Sequence, residues 1–214
     1  MTRIRYRATA AALLSGAAVF AIIHLAGPQA SRAAPPSKTQ QKSAPETPNQ
    51  AKASAVSIVV GRDLRALPAP VREMREAILA AAQSGDLKEL LIPIQWNELP
   101  PDFGPGQGRD PRAHFRKISV DGEGREILAI LRRILSAPYA VVREGRDIEN
   151  NKIYVWPYLA RMPLTKLSPQ QDVDLLALVD RDRYGAMRKA GRYSSWFVMI
   201  GADGTWHTFR RQEK

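Results

Sequence analysis

Two histidines, His114 and His207, carry the side chains that could move a proton near neutral pH in the region after residue 56. Ser194, Ser195 and Asp203 lie close to His207 in the sequence and are the residue types of a nucleophile and an acid partner. The serines lack the Gly-x-Ser-x-Gly turn that presents a nucleophile, and no further residue completes a catalytic triad. The sequence therefore predicts no catalytic residue. A hydrolase that uses His207 or His114 with an acidic or serine partner is the enzymatic alternative.

Metal, cofactor and phosphate sites have no supporting motif. The chain contains no cysteine, no His-Glu-x-x-His and no His-x-His pair. Glycines alternate over 104–108 within a long irregular loop at 95–112, but Pro105 removes an amide donor and no Lys-Ser/Thr follows. We therefore predict no metal and no cofactor. The lack of cysteine also excludes a disulfide scaffold.

Three aromatic residues, Tyr154, Trp156 and Tyr158, share one parity along a predicted strand and so point to the same face of a sheet. Their hydrophobicity favours a place in the core beneath the helices. The functional alternative is an aromatic platform that binds a sugar or a peptide. His207 alternates with Trp206 on the last strand, which directs His207 toward solvent or a groove when Trp206 is buried. Tyr154, Trp156, Tyr158 and His207 are therefore the predicted ligand-binding candidates.

Helical spacing of apolar residues predicts three helices in the first half of the domain. The first covers 71–81 and ends at Gly85, and a capping box at Asp86 opens a short second helix that Pro93 stops. A wide apolar stripe predicts the third helix over 121–135, which implies that it packs on the core.

The second half changes to the period of strands. A polar turn at 144–152 separates one pair of apolar, β-branched and aromatic runs, and an Asp-Gly turn at Asp203 separates another pair. The predicted elements are strands over 139–143 and 153–159, a helix opened by Ser168, and strands over 193–200 and 205–210. We therefore expect an α+β fold, with N-terminal helices packed on a small antiparallel sheet made of two hairpins with an intervening helix.

The first 33 residues have the pattern of a secretory signal peptide. Arg3, Arg5 and Arg7 precede an apolar run over 8–27, and 31–33 offer small residues at the −3 and −1 positions of a cleavage site. The run is also long enough to span a bilayer, so an uncleaved anchor in the inner membrane is the alternative. Both interpretations place the rest of the chain outside the cytoplasm.

The remaining sequence divides into a linker and one domain. Residues 34–55 are rich in Pro, Ser, Gln and Lys and hold too few apolar side chains to form a core, which predicts a disordered linker. Residues 56–214 are sufficient for a single domain. Removing the four arginines of the signal segment lowers the formal net charge from +11 to +7. The remaining basic surface could attract lipid phosphates or acidic proteins, whereas export argues against nucleic acid.

Three segments carry a resemblance to a family: 97–101 (Asn-Glu-Leu-Pro-Pro), 153–158 (Ile-Tyr-Val-Trp-Pro-Tyr) and 201–207 (Gly-Ala-Asp-Gly-Thr-Trp-His). With them, the chain resembles an uncharacterised family of secreted or periplasmic proteins of alphaproteobacteria, especially rhizobia and their relatives. The likeness covers most of 71–209. It implies a location in a Gram-negative envelope, and it implies no activity, cofactor or catalytic residue.

We therefore expect an exported periplasmic protein with a non-enzymatic binding or envelope-associated role. Its expected partners are an envelope polymer, an anionic lipid or a periplasmic protein. The alternatives are the envelope hydrolase described above and a sensor domain anchored in the inner membrane by an uncleaved signal segment.

Overall fold

An antiparallel sheet organises the part of the chain that the structure, a computed structural model, describes: residues 58–143 and 152–212. Its five strands are β1 (Val59–Gly61), β2 (Tyr139–Arg143), β3 (Lys152–Trp156), β4 (Trp196–Gly201) and β5 (Trp206–Arg211). They lie in the order β1-β2-β3-β4-β5, so each strand pairs with its neighbours along the chain.

Six α-helices lie within the described residues, and short 3₁₀ helices at Leu64–Ala66, Leu87–Leu90 and Tyr158–Arg161 join some of the elements. The α-helices are α1 (Ala69–Ser84), α2 (Leu91–Gln95), α3 (Pro111–Ile118), α4 (Arg125–Leu135), α5 (Pro169–Leu176) and α6 (Arg181–Ala190). Helices α1 and α4 pack against each other and against β4. The predicted α+β class is confirmed.

Local sequence signals set the ends of two helices as predicted. Pro70 lies in the first turn of α1, and Gly85 ends this helix with a left-handed φ of 76°. Ser168 and Gln171 form a reciprocal capping box at the start of α5. Capping chemistry is local, which is why the sequence reveals it without knowledge of the tertiary fold.

The prediction that Pro93 stops the second helix is wrong. The Asp86 carboxylate accepts from the backbone N–H of Lys88 and starts a 3₁₀ helix over Leu87–Leu90, and α2 follows it directly. Pro93 is the third residue of α2. A proline is tolerated there because the first backbone N–H groups of a helix have no carbonyl partner within it.

No pattern in the sequence predicted β1, α3 or α6. Helix α6 is strongly polar and buries only Met187, so it lacks an apolar stripe. Helix α3 is short and follows an irregular loop, with Asp110 as its N-cap and Pro111 as its first residue. Strand β1 has three residues, too few to establish a period.

Several predicted boundaries also differ from the observed ones. Helix α4 begins four residues after the expected start at Asp121, and β3 ends at Trp156 rather than at 159. The pairing of β2 with β3 and of β4 with β5 agrees with the two predicted hairpins. Residues 144–151 of the first turn lie outside the described residues, as do the predicted signal segment and the whole of the predicted linker.

Within residues 58–143 and 152–212, no helix is both long and apolar enough to cross a bilayer.

Asp121 caps the start of α4 through its carboxylate. The carboxylate accepts hydrogen bonds from the Ser119 hydroxyl and from the backbone N–H groups of Gly124, at 3.2 Å, and Arg125, at 3.0 Å. Hydrogen bonding, from Ser119 above all, lowers the pKa of Asp121 to about 2, from an ordinary value of 3.8. The lowered folded-state pKa means that Asp121 stabilises the fold above pH 3.8 and loses this contribution as the pH falls toward 2.

We expect Asp121→Asn to unfold at a lower temperature than the unchanged protein near neutral pH, because an amide accepts these bonds more weakly than a carboxylate. The variant should also lose less stability on acidification from about pH 5 to about pH 2. Thermal unfolding followed by circular dichroism across this range measures both effects. Glu123→Gln is the matched control, since Glu123 makes no hydrogen bond or ion pair within the described residues. Parallel pH profiles for Asp121→Asn and the unchanged protein would contradict the assignment.

Candidate functional site

The aromatic residues Tyr154, Trp156 and Tyr158 lie in the core of the structure. Trp156 and Tyr158 are fully buried and Tyr154 is nearly so. Trp156 packs against Tyr139 with ring centroids 5.4 Å apart, and Tyr158 lies in a 3₁₀ helix rather than on β3. A ligand platform needs an exposed ring face, so these three side chains do not form one. The structure agrees with the favoured interpretation, which places them in the core.

His207 is exposed and lies beside Asp203. A Cβ added to Gly201 would lie 2.7 Å from Nε2 of His207 and 2.6 Å from Oδ1 of Asp203, so both side chains flank this glycine. Burial raises the pKa of Asp203, but hydrogen bonds from Thr205 and the nearby His207 outweigh it, so that the pKa lies below its ordinary value. Among the described residues, neither Ser194 nor Ser195 hydrogen-bonds to His207.

His114 is buried and both of its ring nitrogens face backbone carbonyls. Nδ1 lies 3.2 Å from the carbonyl oxygen of Gly106, and Nε2 lies 3.2 Å from that of Phe103. Neither nitrogen is therefore directed at a serine hydroxyl. Among the described residues, neither histidine contacts a serine hydroxyl, whereas His207 has an acidic neighbour in Asp203.

A groove lies where α4 and α5 end, and we name it the α4–α5 groove. Its volume is about 510 Å³, which is in the range of small-molecule sites. Its apolar walls come from Leu64, Ala137, Pro138, Ala177 and Leu178. Its polar groups come from Arg62, Arg133, Ser136 and Asp174.

A hydrogen-bond network that runs from the buried Tyr158 to the exposed Arg62 supports one wall of the groove. The Asp174 carboxylate accepts from Nη2 of Arg62 at 2.6 Å and from the Tyr158 hydroxyl at 2.8 Å. The side chain of Asp174 is only 12 % exposed, whereas that of Arg62 is 53 % exposed. The network therefore fixes the exposed Arg62 side chain at the rim of the groove, whereas Tyr158 at its other end lies within the core.

The network shifts the pKa values of its members in opposite directions. Burial raises the pKa of Asp174, but the hydrogen bonds from Arg62 and Tyr158 outweigh burial and bring it below the ordinary value. Burial, reinforced by the hydrogen bond to Asp174, raises the pKa of Tyr158. The hydrogen bond to Asp174 raises the pKa of Arg62. Asp174 is therefore an ionised acceptor at neutral pH, and Tyr158 and Arg62 are its donors.

Arg133 supplies a second guanidinium to the groove. It is exposed in the last turn of α4 and makes no hydrogen bond or ion pair within the described residues. Its charge is therefore not neutralised by a described carboxylate. An anion entering the groove would find five N–H donors on this side chain.

The exposed side of α5 extends the apolar surface. Val173 and Leu176 are exposed by 60 % and 51 %, and Ala177 lines the groove itself. These residues lie three and four positions apart and so share one side of the helix. The groove thus combines an apolar surface with guanidinium groups, which suits a ligand that is anionic at one end and apolar at the other.

Arg62, Arg133 and Asp174 were not predicted as site residues from the sequence. The hydrogen bond from Arg62 to Asp174 joins residues 112 positions apart. Such a contact leaves no mark in local spacing. One available signal was the position of Asp174 on a predicted helix that also carries exposed apolar residues.

The described residues contain no group of three or more His, Cys, Asp or Glu side chains placed to hold a metal ion. Comparisons of the chain with protein-family models, with curated proteins and with solved structures found no match.

Proposed function

We propose that this chain is an exported, non-enzymatic binding protein whose α4–α5 groove holds an anionic amphiphile. Such a ligand has a carboxylate or phosphate head and an apolar tail. The observation that carries the proposal is the unpaired guanidinium of Arg133 on an apolar groove of about 510 Å³. Export rests on the signal-peptide pattern of residues 1–33. An envelope is rich in molecules of this chemistry, including anionic lipids.

The polar residues of the α4–α5 groove are proposed to bind the head group, and its apolar residues are proposed to bind the tail. Arg133 donates charge-assisted hydrogen bonds to the head group, and Arg62, whose charge is balanced by the ionised Asp174, adds further N–H donors at the rim. The tail lies along Leu64, Pro138 and Leu178 and gains stability from the area it removes from water. The net positive charge of the chain assists the approach of an anion.

We expect Arg133→Ala to weaken binding of a dansyl-labelled undecanoate by about tenfold or more, because a charge-assisted hydrogen bond to the carboxylate is lost. Fluorescence titration of the purified chain at moderate salt measures the affinity. Arg132→Ala is the matched control, since Arg132 is the preceding residue of α4, is also exposed, and does not line the groove. Binding to this control should stay within about twofold of the unchanged protein.

A second variant tests the apolar part of the groove. Ala177 is exposed, so Ala177→Trp can fill the groove without disturbing the core, and it should abolish binding of the labelled undecanoate. Equal losses in Arg132→Ala and Arg133→Ala would show attraction to the basic surface alone and would overturn the proposal. Undetectable binding to the unchanged protein would overturn it as well.

A further inference from the structure

Trp96 is an exposed tryptophan in a fold that buries the others. The three remaining tryptophans, Trp156, Trp196 and Trp206, are at most 4 % exposed, whereas Trp96 is 58 % exposed. Its ring therefore offers a large apolar surface to solvent. Trp96 also lies within the long loop at 95–112 that the sequence analysis singled out, and the α4–α5 groove does not use it.

The backbone next to this ring is held firmly by Asn97. The side-chain amide of Asn97 donates to the carbonyls of Pro93, at 2.9 Å, and Ile94, at 3.1 Å. Its Oδ1 accepts from the backbone N–H of Trp206 at 2.7 Å. One side chain thus ties the end of α2 to the start of β5. Trp96 is presented at a fixed place rather than on a loose loop.

A groove of about 210 Å³ lies against Trp96, and we name it the Trp96 groove. One wall comes from α1, with Pro70, Glu73 and Met74, and the other from the turn between β4 and β5, with Asp203, Gly204 and Thr205. The lining contains two carboxylates and a hydroxyl, and no lysine or arginine. The lining of this groove is therefore acidic, although the chain as a whole carries a formal net charge of +11.

The two carboxylates differ in the number of hydrogen bonds that they already accept within the protein. Asp203 accepts hydrogen bonds from the backbone N–H of Thr205 at 3.0 Å and from its hydroxyl at 2.9 Å. Glu73 is exposed and makes no hydrogen bond or ion pair within the described residues. Glu73 therefore has its full capacity to accept hydrogen bonds from a ligand, and Asp203 keeps part of it.

We infer that the Trp96 groove binds a neutral saccharide, which is a ligand independent of the one proposed for the α4–α5 groove. A pyranose ring has an apolar face of C–H groups that packs on an indole ring, and its hydroxyls donate to carboxylates. The chain as a whole is basic, which disfavours the approach of an organic cation. Trp96 contacts the sugar face, and Glu73 accepts from its hydroxyls.

A direct test titrates the purified chain with three neutral tetrasaccharides: cellotetraose, fully N-acetylated chitotetraose and maltotetraose. Tryptophan fluorescence is the readout, since Trp96 is the exposed fluorophore of the four tryptophans. We expect at least one of these saccharides to shift the emission, with an affinity that high salt does not change. Trp96→Ala should weaken binding, measured by calorimetry, by about tenfold or more.

Two matched controls make the test specific. Leu99→Ala removes another exposed apolar side chain of the same loop, and it should bind like the unchanged protein. Glu73→Gln should weaken binding several-fold, whereas Glu76→Gln, one turn further along α1 and outside the groove lining, should not. Trp96→Ala should leave binding of the labelled undecanoate unchanged, so failure of either proposed site is separately visible.

Three results would overturn the inference. The first is that none of the saccharides binds. The second is that Trp96→Ala and Leu99→Ala bind a saccharide equally well. The third is that choline or lysine methyl ester binds this groove in a salt-sensitive manner while the saccharides do not, which would assign it to an organic cation instead.

Discussion

Trp156→Ala is expected to lower the free energy of unfolding by about 3–5 kcal/mol, the largest effect of any single truncation considered for this fold. The Trp156 ring is fully buried at the end of β3, opposite Val198, and it packs on Tyr139. Its indole N–H makes no hydrogen bond within the described residues, so the loss comes from apolar contact and from the cavity left behind. Urea denaturation followed by circular dichroism gives the change directly.

Trp96→Ala is the control for Trp156→Ala, because it truncates a tryptophan that is exposed rather than buried. Because its ring is 58 % exposed, we expect this variant to change the free energy of unfolding by at most about 1 kcal/mol. Trp156→Phe should lie between the two, since it keeps part of the buried ring. A loss below about 1 kcal/mol for Trp156→Ala would contradict the burial of this residue and would reopen its candidacy as a ligand contact.

Gly204→Ala is expected to lower the free energy of unfolding by about 2–4 kcal/mol, from backbone strain and overpacking together. Gly204 has a φ of 90°, which residues with a side chain rarely adopt. An added Cβ would also lie 2.9 Å from the carbonyl oxygen of Pro70. The backbone of α1 cannot yield easily, so the turn between β4 and β5 would have to move away from this helix.

Gly185→Ala is the matched control for this glycine substitution. Gly185 lies in the interior of α6, and an added Cβ would meet no atom within 4 Å. The substitution should raise the free energy of unfolding by about 0.5–1 kcal/mol, since alanine favours a helix over glycine. Equal effects of the two substitutions in denaturant unfolding would contradict the close approach of Gly204 to α1.

Much of the fold could be predicted because its signals are local. The apolar stripe of α4, the capping box of α5 and the Asp-Gly turn before β5 each lie within a few residues of sequence. Helix α6 lacks the apolar stripe that marks α4, because it buries only Met187 and is otherwise polar. Its helical state is compatible with the capping of its start by Asp180 and the left-handed Gly191 at its end.

The candidate sites could not be predicted in the same way. Strand parity correctly assigns Tyr154 and Trp156 to one face of the sheet, but parity does not say which face the rest of the chain covers. Val155, on the opposite face, is fully buried as well. Residue type alone also cannot separate Trp96 from the buried tryptophans. That distinction depends on the packing of α1, α2 and the turn between β4 and β5.

The order of the strands has a mechanical consequence. Strands β1 and β5 lie at opposite edges of the sheet and, as the first and last of five alternating strands, run in the same direction. The start of β1 and the end of β5 are therefore diagonally opposed, about 19 Å apart across the sheet alone. A force that pulls the start of β1 away from the end of β5 therefore acts on each of the four strand pairings in turn across the sheet. The weakest of these is β1 with β2, which holds three residue pairs. Under such a force, β1 should separate from β2 first, and strands β2 to β5 should stay paired.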